Sequence, residues 1–598
     1  MGPQQATHYL GLASSFHDPA VALVDSAGCV LFAEATERRL QDKRAINSVP
    51  DGLNWIDSLL AEYIPDGGHI VACGSWLGSY RPRELLWMGL SHTSSLPMLK
   101  WLVPTHNALA RSAGRNLTQR LGINAAKAGE SRWTADVRRM DHHRCHATYA
   151  VLSSAFEKGA CAVVDAAGQG TSMSFFTFEG NSIREIPRSR STCSLGLFYA
   201  LLCDWAGFDS YRGEEWKAMG LAARGTVDPA LRSRMMDLFR VAGLRLEYGL
   251  KRADFRARLG ELGVAARRDR EINSGISATF AATGQAVFED VLAEVLSNLR
   301  KVTGTTNLVA GGGCFLNSSF NGKLLSRTGF THLHVPSAPA DDGNALGAAW
   351  AGALDDRRAL TSLERPLSPY LGSRMSNRSK ARLQEYSGNI ARSDAEPISA
   401  AARLIADGHI IGWVHGRAEF GPRALGNRSI LADPRDPGML DRINATVKFR
   451  EEFRPLAPAV LAEQVSEYFD VEEIQASDFL YMERAIPVRA DRARDVPAIV
   501  HVDGTARLQS VRRELNPEFH ALISEFYRLT GVPMVVNTSL NVMGKPIVNS
   551  PEDALSVLLT SGIDALFIDG LLLASDDIHR KVAGYPAQPE ACAGPVED

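Results

Sequence analysis

The most chemically suggestive run in the chain is Asp141-His-His-Arg-Cys-His146. Histidines four apart on a helix project from one face, so His142 and His146 can share a metal ion at about 2.0–2.1 Å. A histidine-rich helix end with solvent and backbone partners is the plain alternative. Two acids from distant segments can complete such a set: Asp165, ending the apolar run ACAVVD, and Asp342, in the turn SAPADDGNALGAAW ahead of a small-residue helix. Two imidazoles plus carboxylate, with positions left open, suit iron(II), manganese or zinc better than a closed structural site. Each aspartate also reads as a helix cap, and Asp341 beside Asp342 leaves the choice between them open. His17, in SSFHDPA, lies in the turn after the first apolar run, where an imidazole titrating near neutrality can take a proton from an alcohol. A structural histidine bonded to its own turn fits the same residues.

A second constellation follows some 250 residues later. Arg417, Arg423, Arg428, Lys448, Arg450 and Arg454 recur amid apolar residues in HGRAEFGPRALGNRSILADPR and VKFREEFRPLAPAV, spaced unlike a solvated charge run. Buried arginine needs anions. If Glu419, Glu451 and Glu452 do not supply them all as an internal salt-bridge network, phosphate is the natural partner. Then MVVNTSLNVMGKPIV gathers Asn537, Thr538, Ser539 and Asn541 behind an apolar strand as a second anion cradle, which Arg507 in DGTARLQSV can join. No GxxxxGK[ST] sequence occurs, so a P-loop site is excluded.

These residues need elements to hold them. HYLGLASSFHDPAVALVDSAGCVLFAEA reads as strand, polar turn, strand, tight turn, strand, and GACAVVDAAGQGTSMSFFTFEGNSIREI repeats that layout. Two such units with small and acidic first turns form a loose internal repeat, the pattern of a duplicated phosphate-holding fold of actin/hexokinase type. Residues 50–135 and 275–302 are helical in pattern and would flank the sheets. Asn307–Val309 is a buried strand running into AGGGCFLNSSFN, whose three glycines open a helix with free N–H groups able to approach a nucleotide. Charge, Pro and Gly without a period place a linker at 356–373, dividing a first domain (1–355) from a second (374–582). The Pro/Ala/Gly-rich tail, 583–598, is expected to be disordered.

Composition narrows the class. A chain of 598 residues carries at least two cores, and 45% apolar with 22% charged residues is ordinary for a folded soluble protein. Lysine and arginine number 65 against 68 acids, a net charge of −3 that speaks against whole-chain binding to nucleic acid or an anionic membrane. Eight scattered cysteines with no CxxC pair argue against a disulfide framework or a cysteine zinc site, and for a reducing, cytoplasmic setting. No run of 18 apolar residues and no signal sequence is visible.

Taken together, HDPAVALV, HHRCHATYA, RGEEWKAMGLAA, AGGGCFLNSSFN, DDGNALGAA, EFGPRALGNRSILADPR, KFREEFRPLAPAV and NTSLNVMGKPIV, in this order from His17 to Val548, resemble the O-carbamoyltransferase family that includes tobramycin carbamoyltransferase and nodulation protein U. The resemblance implies an α/β N-terminal domain of actin/hexokinase (ASKHA) type, like the tRNA threonylcarbamoyl transferase subunit, and an α+β YrdC-like C-terminal domain. It implies that carbamoyl phosphate and ATP, with Mg2+, form carbamoyl-adenylate at Arg423, Lys448, Arg450, Arg507, Ser539 and Asn541. It further implies an Fe2+-type metal, or another divalent ion, on His142, His146, Asp165 and Asp342. His17 would be the general base on an acceptor hydroxyl, and Gly311, Gly312, Gly313 and Asn317 would pack against the adenosine. The implied acceptor is a small molecule, as in antibiotic and other natural-product tailoring, with no nucleic acid, no membrane and a homodimer as one possible assembly. Two departures from the pattern are ATERRLQDKR, which only loosely follows the usual acidic–basic run, and Lys545, where an acid is expected. Carbamoylation of RNA or protein and a non-catalytic nucleotide sensor are the competing readings; the charge balance and the retained ligand set speak against them.

Overall fold

The computed structural model describes residues 6–15, 17–51, 55–77, 133–267, 275–386, 397–448, 454–471 and 479–584. Apolar runs at the start of the chain become β1 (Thr7–Ala13), β2 (Ala20–Asp25) and β3 (Val30–Ala35), joined by β4 (Gly68–Gly74) and β5 (Trp133–Arg139). Their order is β3-β2-β1-β4-β5, antiparallel through the first three strands and parallel from β1 to β4 to β5. The second unit, β6 (Lys158–Gly168), β7 (Thr171–Glu179) and β8 (Ser182–Glu185) with β11 (Asn307–Gly311) and β12 (His332–His334), has the order β12-β11-β6-β7-β8. Again the hairpin strands are antiparallel and the last two are parallel. The repeat read in the sequence is therefore one architecture used twice. In the chain between β8 and β11 of the second unit, β9 (Phe239–Ala242) and β10 (Arg245–Tyr248) make a separate ribbon.

Two helices, His142–Leu152 and Asn344–Asp355, share a core with the inward faces of both sheets, including Tyr9, Val71, Val163 and Val309. Their small residues allow the close approach that a strand-covering helix needs. Helix Trp55–Tyr63 covers the other face of the first sheet, and helices Leu195–Trp205 and Gly275–Thr303 cover that of the second. The AGGG turn differs from expectation. It leads into a short 3-10 turn, Gly313–Leu316, and the helix Ser318–Thr328 starts only where Asn317 caps it by accepting the Phe320 N–H.

The C-terminal part is built on a seven-stranded mixed sheet, β18-β15-β19-β14-β13-β20-β21. Its strands are β13 (Ile411–Val414), β14 (Arg428–Ala432), β15 (Ala457–Leu461), β18 (Gln509–Val511), β19 (Met534–Ser539), β20 (Ala565–Ile568) and β21 (Leu571–Ala574). A ribbon of β16 (Ala485–Pro487) and β17 (Thr505–Arg507) stands apart, and a large apolar core is common to this half. The 356–373 stretch, read as a linker, packs on the N-terminal sheets: Leu360, Leu367 and Leu371 are buried in the core between the two five-stranded sheets, and the Leu371 carbonyl accepts the Ala33 N–H. The tail from 585 onward lies outside the described residues. Among the described residues no helix is long and apolar enough to cross a membrane.

Candidate functional site

Asp141 caps the helix His142–Leu152, its side chain accepting the Arg144 N–H at 2.9 Å, and this start sets His142 and His146 one turn apart. Both imidazoles are buried, and their Nε2 atoms face each other at 3.3 Å. Asp165 Oδ2 lies 3.3 Å from His142 Nε2, and Asp341 Oδ1 lies 3.4 Å from the Nε2 of each histidine. One donor atom from each of these four residues falls within 4.8 Å of the others. Asp165 sits where the β6–β7 register breaks between Val164 and Gly168, an irregularity that releases the strand end from regular pairing. A Cβ at Gly168 would strike the His142 ring, so this turn must be bare for the imidazole to fit.

Asp342, the ligand the resemblance implied, does not join the set; Asp341 takes that place. Of the two acids in the tight turn Asp341–Gly343, Asp341 is the one that brings a carboxylate oxygen to the histidines. Asp342 Oδ1 instead accepts the Gly343 N–H at 3.0 Å, and burial, together with Asp18 and Glu37, pushes its carboxyl up to about 8. In the cluster itself burial pulls His142 down, but Asp341 and Asp165 outweigh it and carry it to about 10. Burial likewise presses both carboxyls up, yet the histidines hold Asp165 below and Asp341 well below the ordinary range. Two imidazoles and two ionised carboxylates collected in a buried spot fit a divalent cation: it would supply the positive charge that a shared proton must otherwise provide. His143 is not a donor to the set. Its Nδ1 meets Ser174 Oγ at 2.8 Å, and burial, with His142 beside it, pushes it down to about 3.

Next to the cluster, His17 Nδ1 lies 2.7 Å from Asp18 Oδ2, which also pairs with Arg44 Nη2 at 3.2 Å. The clamp is reciprocal, because the Asp18 N–H donates to the Arg44 carbonyl at 2.8 Å. Asp18 (φ 55°) and Arg44 (φ 62°) both hold the left-handed backbone that L residues seldom adopt, a strain typical of functional turns. Burial raises the Asp18 carboxyl, but Arg44 and His17 prevail and hold it at about 2. The charge of His17 helps to depress Asp341, and that of Arg44 bears on Glu215 of the helix Glu215–Ala222, so turn, cluster and helix form one centre.

The glycine turn borders the same centre. The Gly313 N–H points to Asp165 Oδ1 at 3.4 Å, Gly311 ends β11, and Gly312 (φ 95°) has no room for a side chain, since a Cβ would fall on the Val164 carbonyl. Asn317 is engaged inside the protein: it caps its helix and exchanges hydrogen bonds with Gln285 at 2.9 and 3.1 Å.

In the C-terminal half Lys448 is buried, and its ammonium donates to the carbonyl and hydroxyl of Ser539 and to Asn541 Oδ1 at 2.6 Å. Lys448, Ser539 and Asn541 are thus brought together. Arg423 reaches across to the first domain, 3.5 Å from the Leu316 carbonyl beside the glycine turn, and burial pushes its guanidinium down to about 10. Arg507 sits in β17, and Arg450 lies outside the described residues. The expectation that anions satisfy the other arginines is overturned for two of them. Arg428 donates to the carbonyls of His415, Gly416, Asn427 and Ser373, and Arg417 to those of Gly372, Leu31 and Leu371. Glu419 meanwhile accepts the backbone N–H groups of Leu425, Asn427 and Arg428. These arginines are backbone staples, since five donors in a fixed fork suit converging carbonyls as well as phosphate.

Two residues near the chemistry, Asn344 and Trp76, were not singled out from the sequence, and Arg454 takes a partner other than the anion read for it. Asn344 Nδ2 lies 2.9 Å from His146 Nε2, the Trp76 ring is 4.5 Å from that of His142, and Arg454 stacks 4.1 Å over Trp216, joining the two halves beside Glu215. Asn344 follows the DDG turn directly, which was its signal; Trp76 had none.

Two family models match the chain: the carbamoyltransferase N-terminus over residues 112–350 and the carbamoyltransferase C-terminus over residues 402–575. Nodulation protein NolO of Bradyrhizobium diazoefficiens is 37% identical, over 73% of this chain and 78% of that protein. An uncharacterised protein of Synechocystis is 30% identical over 95% and 97%. The 3'-hydroxymethylcephem-O-carbamoyltransferase of Streptomyces clavuligerus is 31% identical over 52% and 56%.

Proposed function

The chain belongs to the carbamoyltransferase family and is an enzyme that transfers carbamoyl groups, and from that premise we propose that it is an ATP-dependent O-carbamoyltransferase with two half-reactions, one in each part. In the C-terminal part, read as YrdC-like, water cleaves carbamoyl phosphate to carbamate and phosphate, and a carbamate oxygen then attacks the ATP α-phosphorus, so that carbamoyl-adenylate forms and pyrophosphate leaves. Lys448, with Ser539 and Asn541, binds the anionic oxygens there, and a buried ammonium among neutral acceptors is poised to exchange them for phosphate. Arg423, directed at the glycine turn, lies on the side from which the adenylate reaches the N-terminal part, which we read as ASKHA-like.

There the hydroxyl of a small-molecule acceptor attacks the carbamoyl carbon, the bond from that carbon to the adenylate oxygen breaks, and AMP leaves. Asp18 holds His17 by Nδ1, so Nε2 is the nitrogen that takes the hydroxyl proton, and the imidazolium then formed faces the Asp18 carboxylate. Arg44 keeps Asp18 ionised and in place for this duty. A divalent metal, iron(II) among the candidates, would be held by His142, His146, Asp165 and Asp341 and would supply Lewis-acid polarisation of the carbamoyl oxygen. The reading is carried by the juxtaposition of the His17–Asp18–Arg44 clamp with that buried donor set.

Pyrophosphate release from ATP by the purified protein, with and without carbamoyl phosphate, tests the proposal. Release that depends on carbamoyl phosphate, is lost in Lys448→Ala and is retained in His17→Ala is the expected result. Release lost in both variants would refute the division of labour.

A further inference from the structure

Asn344 lies within hydrogen-bonding distance of both histidines of the donor set without being counted in it. It is fully buried and opens the helix Asn344–Asp355, directly after the turn that carries Asp341, and its N–H donates back to the Asp341 carbonyl. The helix is pressed against the helix His142–Leu152, so closely that a Cβ at Gly347 would fall on the Cys145 carbonyl. The backbone that carries Asn344 is therefore fixed beside the cluster, and only its side chain is free to adjust.

The two ends of the carboxamide are in opposite situations. Nδ2 is 2.9 Å from His146 Nε2 and 3.3 Å from His142 Nδ1. Oδ1 has no hydrogen-bond partner among the described residues, which is rare for a buried amide oxygen. The N–H thus enters the lone pair of the same His146 nitrogen that a metal ion would take, and one lone pair cannot serve both. Turning the amide half a revolution about its Cβ–Cγ bond exchanges Nδ2 for Oδ1 with no movement of the backbone. The unpartnered oxygen then stands beside His146 Nε2.

The spacings suit an oxygen ligand at that place. On an ion with bonds of about 2.1 Å, two ligands at right angles stand roughly 3.0 Å apart and two tetrahedral ones roughly 3.4 Å. The amide position, 2.9 Å from His146 Nε2, has the first spacing. The histidines, 3.3 Å apart and each 3.4 Å from Asp341, have the second. His146 Nε2 and Asp165 Oδ2, 4.0 Å apart, exceed both, so the four donors do not close a tetrahedron.

We infer that Asn344 is a further protein ligand of the divalent-metal centre, bound through Oδ1. Two nitrogens and three oxygens then face the ion, a set that shifts preference toward Mn2+ or Fe2+ and away from Zn2+, whose closed sites hold four ligands. The inference rests on the donor set of His142, His146, Asp165 and Asp341 read above and adds a residue to it.

The test is metal uptake by the full-length protein after chelator treatment, with Mn2+ and Zn2+ as separate probes. Free Mn2+ is read from its electron paramagnetic resonance signal, and Zn2+ from competition with a chromophoric chelator. Asn344→Leu keeps the size of the side chain and removes the oxygen; it should weaken Mn2+ binding at least about tenfold and Zn2+ binding no more than about threefold. Asn344→Asp, which keeps an oxygen, should hold Mn2+ at least as tightly as the wild type, and the ion should raise its thermal midpoint. The aspartate variant decides the matter by itself if the leucine variant does not fold. Equal losses of both ions in Asn344→Leu would make Asn344 a support for the histidines and overturn the inference. Mn2+ binding left intact by Asn344→Leu, or lost in Asn344→Asp, would overturn it as well. Wild-type protein that takes up neither ion would overturn the donor set along with it, whereas uptake abolished by Asp341→Ala and untouched by Asn344→Leu would overturn the inference alone.

Discussion

Asp18→Asn is the most discriminating single change. Asparagine tolerates the left-handed backbone at φ 55° as well as aspartate does, so the substitution removes a charge without breaking the turn. In the native protein the Asp18 carboxyl is held at about 2 against an ordinary 3.8, with 22% of the side chain exposed. At roughly 1.4 kcal/mol per pH unit of displacement, that pairing contributes about 2 kcal/mol of stability at neutral pH. Because the folded-state value is the depressed one, the contribution is fully present above pH 4 and is lost as pH falls toward 2. Denaturant unfolding should therefore show Asp18→Asn about 2 kcal/mol less stable at pH 7, with the gap to wild type narrowing below pH 4. Catalytically, a neutral amide at this position cannot hold His17 as a carboxylate does, and loss of the group that orients a catalytic imidazole and stabilises its charged form costs roughly 10²–10⁴ in rate. Single-turnover transfer from enzyme-bound carbamoyl-adenylate should fall by that factor, while carbamoyl-phosphate-dependent pyrophosphate release stays at the wild-type level. Transfer within threefold of wild type, or a parallel loss of pyrophosphate release, would refute the reasoning about His17.

Two further outcomes are expected. Metal content measured after reconstitution with Fe2+ or Zn2+ and desalting should drop to background in Asp341→Ala and persist in Asp342→Ala, because only Asp341 shares the 4.8 Å donor set; equal losses would remove the distinction between them. Gly312→Ala should lower the stability of the whole chain by about 2–4 kcal/mol, read as a fall in the thermal midpoint, because the new Cβ meets the Val164 carbonyl at a backbone φ of 95°.

Much of the architecture was legible from local pattern. Alternating apolar runs with tight polar turns marked both hairpin units, and the sheets they open share one order and one set of strand directions. The i, i+4 spacing of His142 and His146 placed them on one face before any fold was known. Less legible was every choice that turns on which way a side chain faces. The three-glycine turn was read as a helix start, but a 3-10 turn and the Asn317 cap intervene, since capping selects the helix start independently of glycine content. Arg417 and Arg428 looked like anion binders because charge and apolar context are visible in a sequence, whereas a carbonyl acceptor exists at every residue and becomes specific only when folding brings several together.

The sequence by itself determined the residue types of the chemistry, the hairpin units that open the two sheets, and membership of the carbamoyltransferase family, whereas the strand Gly68–Gly74 lies in the stretch 50–135 that was read as helical. Tertiary structure alone decided that Asp341 and not Asp342 meets the histidines, and that Arg44 holds Asp18 and through it His17. The physical reason is range: propensity and periodicity act over a few residues, while these contacts join side chains 26 to nearly 200 positions apart, as in Asp18–Arg44 and His146–Asn344.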